Sequence, residues 1–136
     1  MAEIRIDATV ENLDRVLAFV EGQMEALDAS PRARMQVNIA VEEIFVNIAH
    51  YAYAPGTGSA VVRAAIEQDP PAIAITFVDS GIPYDPLAKP DPDVTASVKD
   101  RPIGGLGIFM VKKIMDGVEY RRQDGTNVLT IRKKLC

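Results

Sequence analysis

The chain has 136 residues, of which 48% are hydrophobic and 25% charged, a balance typical of one globular domain with a single core. Its formal net charge of -4, without a long basic run, argues against sequence-independent binding to nucleic acid. No apolar run approaches the roughly 18 residues of a membrane span, and the N-terminal MAEIRIDATV lacks the apolar segment of a secretory signal. Because Cys136 is the single cysteine, no internal disulfide can form and no zinc-ligand cluster is recognisable, so a reduced, cytoplasmic setting is expected.

The first half of the chain predicts one strand followed by two helices. Apolar and polar residues alternate in EIRIDATV, which is typical of a half-buried strand. The segment ENLDRVLAFVEGQMEAL then places its apolar residues at helical spacing. A second helix is expected to begin at Ser30–Pro31, with serine as N-cap and proline in the first turn. It should run through EEIFVNIAHYAY and stop near APGTG, where Pro55 and Gly56 break it.

The second half predicts two strand pairs separated by a loop and a helix. SAVVRAAIEQ and PAIAITFVD are expected to be neighbouring strands. Residues 82–103 hold five of the nine prolines and predict a long loop, a feature that is usually functional or disordered. A third helix over roughly 107–116 precedes a hairpin with Asp124–Gly125 at its turn. This order predicts an α+β fold, a two-layer sandwich with helices on one face of a mixed, mostly antiparallel sheet.

Three polar side chains form a stripe on the second predicted helix. Glu43, Asn47 and His50 are spaced i, i+4, i+7 and therefore share one face. A carboxylate one turn from an amide oxygen suits polarising a hydroxyl or holding a hard cation through oxygen. The same spacing is common on a solvated helix face, so both interpretations stay open.

The segment FVDSGIPYDP places an acidic residue at the end of an apolar strand. Asp79 could accept a hydrogen bond from an exocyclic amine such as that of adenine. Gly81, two residues later, would let a flat base approach the backbone. The alternative is an ordinary turn in which Asp and Gly have their usual roles.

The glycine-rich segment RPIGGLG lies between the long loop and the third predicted helix. Its glycines leave backbone N–H groups unobstructed at a helix N-terminus, where the helix dipole favours a phosphate. A hinge for the preceding loop is compatible with the same pattern. The spacing matches neither the dinucleotide-binding G-x-G-x-x-G nor the P-loop motif, which disfavours both of those folds.

In this order the motifs resemble those of the GHKL ATPase superfamily and, more closely, of the small anti-sigma-factor serine/threonine kinases. EEIFVNIAHYAY is similar to their N box, DSGIPYDP to the first glycine box, RPIGGLGIFMVKKIMDGVEY to the second, and NVLTIRKK to the closing strand. The resemblance covers nearly the whole chain. It implies a Bergerat-type ATP-binding fold over residues 1–136 as one domain, with an ATP lid at about 82–103.

The resemblance also implies roles for single residues, with ATP and Mg²⁺ as cofactors. Asn47 would coordinate Mg²⁺, and Glu43 would be the general base that accepts the proton of an attacking hydroxyl. Asp79 would bind the adenine amine, and Gly81 would make room for the ring. Further nucleotide-binding positions would be His50, Gly104, Gly105, Leu106, Gly107 and Thr130, with Arg101 reaching the γ-phosphate.

For three of these residues an ordinary role is an open alternative. His50 could be a satisfied structural histidine, Arg101 a surface arginine, and Thr130 a threonine of an ordinary strand.

The function that the resemblance implies is regulatory. Such a kinase would phosphorylate serine or threonine of a STAS-type antagonist protein and hold a sigma factor inactive, as a homodimer. The alternative is an ATP-binding module of the same fold that sequesters a partner with little or no catalysis. The catalytic part of a histidine kinase is disfavoured, because His50 lies inside the proposed nucleotide helix.

Overall fold

A computed structural model describes residues 1–68, 70–87 and 106–135, and these residues confirm the predicted order of elements. Of the predicted loop 82–103, residues 82–87 are described and form no helix or strand. The rest of the loop, including Arg101, lies outside the described residues, and so do Gly104 and Gly105. The elements are β1 Ala2–Asp7, α1 Leu13–Glu25, α2 Pro31–Asn47, β2 Ser59–Glu67, β3 Ala72–Asp79, α3 Leu106–Ile114, β4 Gly117–Gln123 and β5 Thr126–Lys134.

The five strands form one sheet in the order β1-β2-β3-β5-β4, and every neighbouring pair is antiparallel. The α+β class is therefore confirmed, with an antiparallel rather than mixed sheet in the described part of the chain. The predicted hairpin turn is also confirmed. Asp124 has φ of 52° and Gly125 has φ of 78°, the left-handed pair that a two-residue Asp-Gly turn requires.

The side chains of successive strand residues point to opposite faces of the sheet, a core face that packs against the helices and an open face. Ile73, Ile75 and Phe77 of β3 are buried in the core that the sheet shares with the helices. The residues between them, such as Thr76 and Val78, line a shallow depression on the opposite side. Because side chains alternate with a period of two, Asp79 falls on the same face as Phe77, towards the helices.

Helices α1 and α2 pack against each other and against the core face. Their buried faces contain Val16, Val20 and Met24 of α1 and Val37, Val41 and Ile44 of α2. The predicted start of α2 is confirmed: the Ser30 hydroxyl accepts a hydrogen bond from the backbone N–H of Ala33 at 3.1 Å, and Pro31 follows in the first turn.

A polar contact also joins the two helices. The Nε of Arg34 donates to the Glu21 carboxylate at 2.7 Å, and the Asn38 amide donates to the same carboxylate at 3.1 Å. Partial burial alone would raise the pKa of the Glu21 carboxyl. The hydrogen bonds from Arg34 and Asn38 and the charge of Arg34 outweigh burial, so the pKa lies below its ordinary value.

The end of α2 is built differently from its body. The segment Ile48–Ala52 continues the helix as a π-helical turn, and the chain then leaves the helix before the predicted break at APGTG. The backbone N–H of Ile82 donates to the Ala52 carbonyl at 3.0 Å. A Cβ on Gly81 would lie 2.2 Å from that carbonyl oxygen, so glycine is what allows the end of β3 to lie against this turn.

We expect Gly81→Ala to lower the free energy of unfolding by about 1–3 kcal/mol, because the added methyl meets backbone atoms of Ala52 that cannot rotate away. Gly22→Ala is the matched control. Gly22 lies within α1 with nothing near its Cβ position, so alanine should raise the free energy of unfolding by up to about 1 kcal/mol. Urea denaturation of both variants measures the difference, and equal midpoints would contradict the proposed contact.

Candidate functional site

A cavity of about 80 Å³, open to solvent on one side, lies between the end of α2, the end of β3, strands β4 and β5, and the first turn of α3. Its walls are mainly apolar: Ile44, Ile48, Ala52, Ile82, Pro86, Ile108 and Leu129. Polar atoms enter it from Asn47, Asp79 and Asn127, and three tyrosines complete the wall. An apolar cleft with a few convergent polar groups is the usual form of a small-molecule site.

Asp79 is held at one oxygen and available at the other. Its Oδ1 accepts hydrogen bonds from the backbone N–H of Gly81 at 3.0 Å and from Nδ2 of Asn127 at 2.9 Å. Its Oδ2 accepts none from any residue within the ranges that the structure describes, although Asp79 is only 6% exposed and lines the cavity. Oδ2 of Asp79 is therefore a carboxylate acceptor that faces mainly apolar surroundings.

Asn127 is the polar partner of Asp79, and the sequence analysis did not identify it. The two residues stand directly opposite each other where β3 and β5 pair. They are the two polar residues that the described ranges bury, each 6% exposed. One signal for Asn127 was present in the sequence. Asn127 shares a strand face with the apolar residues Leu129 and Ile131, so alternation places this polar residue on the core side of the sheet. A polar residue in that position needs a buried partner.

Thr130 does not reach the cavity. It lies on the open face of the sheet, where its hydroxyl and that of Thr76 are 3.0 Å apart. Its neighbours Leu129 and Ile131 face the core, and alternation therefore directs Thr130 to the other side. This position agrees with the interpretation of Thr130 as an ordinary strand threonine. The β5 residue that contacts Asp79 is Asn127.

The three polar residues that were predicted to share one face of α2 lie in different surroundings. Asn47 lines the cavity. Glu43, one turn earlier, is exposed, and its carboxylate lies beside Gly107, where a Cβ would come within 2.2 Å of Oε2. His50 is exposed, makes an edge-to-face contact with Tyr51 and is not among the residues that line the cavity.

Helix α3 begins at the cavity. Gly107 is its second residue and Ile108 lines the cavity. The first turn of a helix carries backbone N–H groups without partners in the helix and a partial positive charge, both of which favour an anion. The described part of this helix starts at Leu106, and Gly104 and Gly105 precede the described range. Asn47 and Asp79 thus line one cavity, Gly81 is hydrogen-bonded to Asp79, and Gly107 lies beside Glu43 and precedes the lining residue Ile108.

The chain belongs to the histidine kinase-like ATPase domain family, whose model matches residues 6–133. Among its relatives is the serine/threonine-protein kinase BtrW of Bordetella bronchiseptica, 29% identical over 102 residues, which are 75% of this chain and 71% of that protein. The serine-protein kinase RsbW of Bacillus cereus strain Q1 is 24% identical over 131 residues, covering 93% of this chain and 81% of that protein.

Solved structures share the fold at low sequence identity. The RsbU and RsbW domains of Rv1364c from Mycobacterium tuberculosis superpose with a TM-score of 0.67 at 18% identity, over 99% of this chain. This chain spans only 33% of that two-domain chain. The histidine kinase domain of a blue-light-activated kinase from Erythrobacter litoralis gives a TM-score of 0.51 at 13% identity, over 90% of this chain and 61% of that one. No helix in the described ranges is long and apolar enough to cross a membrane.

Proposed function

We propose that this chain is an ATP-dependent protein kinase of the anti-sigma-factor type. It transfers the γ-phosphoryl group of ATP to a serine or threonine of a STAS-domain antagonist and sequesters a sigma factor when the antagonist is modified. ATP binding is supported mainly by Oδ2 of buried Asp79, which lies in an apolar cavity and accepts no hydrogen bond from the described residues. The kinase assignment is supported by the names of the relatives BtrW and RsbW.

The cavity suits the adenine base. Its aliphatic walls match the faces of a flat ring, and the Asp79 carboxylate, which can only accept, matches an exocyclic amine. Guanine and hypoxanthine present a carbonyl oxygen at the corresponding position, which would face the carboxylate oxygen without a proton between them. Selectivity for adenine therefore follows from repulsion of other purines as well as from attraction.

The polyphosphate would extend towards Asn47 and α3. The amide oxygen of Asn47 is a suitable ligand for Mg²⁺, which keeps several waters and takes few ligands from a protein. When bound, Mg²⁺ neutralises charge on the triphosphate. The first turn of α3 offers backbone N–H groups to the phosphates. Arg101, Gly104 and Gly105 stay predicted phosphate contacts outside the described ranges.

Glu43 is the proposed general base. It lies one turn from Asn47 and beside the start of α3, and it is exposed, so a hydroxyl on a partner protein can reach it. A carboxylate there would accept the hydroxyl proton as the oxygen attacks the γ-phosphorus. His50 is exposed, does not line the cavity and has no part in this proposal. A homodimer stays a sequence-based prediction.

We expect Asp79→Asn to lower the affinity for ATP by about 10- to 100-fold, the usual cost of losing a hydrogen bond to a charged group. Its amide can also turn an N–H towards the cavity, so the preference for ATP over inosine triphosphate should disappear. Calorimetric titration with both nucleotides measures this. Asp28→Asn makes the same chemical change at an exposed loop residue and is the control. An unchanged preference in Asp79→Asn would refute adenine recognition by this carboxylate.

Glu43→Gln is expected to retain ATP but to slow phosphotransfer to the antagonist by at least about 100-fold, because the proton acceptor is removed. Glu42→Gln is the matched control, since Glu42 is also exposed but faces a groove on the α1 side. Transfer is measured with labelled ATP and a STAS-domain protein. If the wild-type chain binds ATP but modifies no such protein, the non-catalytic binding module becomes the better account.

Gly107→Ala tests the position of the same carboxylate. Alanine in place of glycine favours the helix by up to about 1 kcal/mol, and the Glu43 side chain is exposed and can rotate away from the new methyl. We therefore expect thermal stability that is unchanged or higher, together with slower phosphotransfer. Gly22→Ala, remote from the cavity, should leave the transfer rate unchanged. Full transfer activity in Gly107→Ala would show that the contact between Glu43 and α3 is unimportant.

A further inference from the structure

The Asn127 side chain makes a hydrogen bond at every one of its polar positions. Its Nδ2 donates to Asp79 Oδ1 at 2.9 Å and to the Ile82 carbonyl at 2.8 Å. Its Oδ1 accepts from the Tyr120 hydroxyl at 2.5 Å and from the backbone N–H of Tyr84 at 3.3 Å. Two N–H groups and two lone pairs are the complete capacity of an amide.

These partners fix the orientation of the amide. The Ile82 carbonyl can only accept, and the Tyr84 backbone N–H can only donate. If the amide were rotated by half a turn, oxygen would face the oxygens of Asp79 and Ile82, and NH₂ would face an N–H. Asn127 is therefore locked in one orientation.

This lock fixes the plane of the Asp79 carboxylate, with one oxygen held and the other directed to the cavity. Asn127 and the Gly81 backbone both donate to Oδ1, so any intermediate rotation breaks two hydrogen bonds, and a half-turn only exchanges two equivalent oxygens. Oδ2 is left as the oxygen open to a ligand. Burying two neighbouring polar groups gains little stability compared with apolar residues of similar size, so this pair is better explained by positioning than by folding.

The same hairpin holds the first residues after β3. Asn127 contacts the backbone of Ile82 and Tyr84, and the Arg122 guanidinium donates to the Gly81 carbonyl at 2.9 Å. Ile82 and Tyr84 form part of the cavity wall. The acceptor oxygen and this part of the wall are therefore set by one network from β4 and β5.

We propose that Asn127, supported by Tyr120, is a positioning residue that determines selectivity for a base with an exocyclic amine. It aims Oδ2 of Asp79 into the cavity and fixes the Gly81–Tyr84 backbone as the adjoining wall. This inference rests on the proposed nucleotide binding at the cavity. It assigns Asn127, to which the resemblance gave no role although it lies in the closing-strand segment NVLTIRKK, a task separate from phosphoryl transfer.

The first arm of the test uses the chain without nucleotide. In Asn127→Leu the amide is lost, and the backbone N–H of Tyr84 loses its Asn127 partner. Its hydrogen exchange should accelerate by at least about tenfold. Tyr120→Phe removes one hydroxyl only, is expected to fold normally, and should accelerate exchange by a smaller factor. Thr76→Val, which removes a hydrogen bond on the open face of the same sheet, should leave Tyr84 exchange unchanged.

The second arm measures selectivity as the ratio of affinities for ATP and inosine triphosphate. The ratio should fall by at least about fivefold in Asn127→Leu and by about twofold to threefold in Tyr120→Phe, and stay constant in Thr76→Val. A purely structural role would weaken both nucleotides equally and leave the ratio unchanged, which would overturn the proposal. Unchanged Tyr84 exchange in both variants would overturn it as well.

The two arms separate this inference from the proposed function. If the wild-type chain binds no ATP, the proposed function fails, while the exchange data still report whether Asn127 holds the Gly81–Tyr84 backbone. If the wild-type chain binds ATP selectively and both variants keep that selectivity, the nucleotide site stands and the positioning role of Asn127 is wrong.

Discussion

The hydrogen bond between the Asn127 amide and the Asp79 carboxylate is the contact on which the geometry of the cavity depends. It joins the ends of β3 and β5 at a point where both side chains are 6% exposed. Because buried polar groups are costly unless paired, the two residues hold each other in one arrangement. That arrangement leaves one carboxylate oxygen without a partner among the described residues, in a mainly apolar cleft, a feature that folding alone does not require.

A second constraint brings the helix layer to this point. The π-helical turn Ile48–Ala52 and the end of β3 approach closely because Gly81 has no Cβ. This approach sets Asn47 of α2 on the same cavity as Asp79 of β3. In the proposed function, one end of the cavity selects the base and the other handles the phosphates. Glu43, the proposed general base, is exposed and is not among the residues that line the cavity, so a partner protein can reach it.

Much of this arrangement could be predicted from local patterns. Alternation predicted β1, the apolar runs SAVVRAAIEQ and PAIAITFVD predicted β2 and β3, the Ser30–Pro31 pair predicted the start of α2, and Asp124–Gly125 predicted the hairpin turn. The π-helical turn and the Asn127 network depend on tertiary contacts between distant segments, which periodicity does not encode. Thr130 is a different case: alternation with Leu129 and Ile131 predicts that it faces away from the core, and the family resemblance had suggested a role at the nucleotide instead.

The most direct test of the central claim is an NMR titration of ¹⁵N-labelled protein with Mg·ATP. The account predicts that the largest shifts fall on the Gly81 backbone amide and on the side-chain amides of Asn47 and Asn127. Little change is expected at Thr76, on the open face of the sheet. Shifts confined to the open face, or none at saturating nucleotide, would contradict a purine site at Asp79.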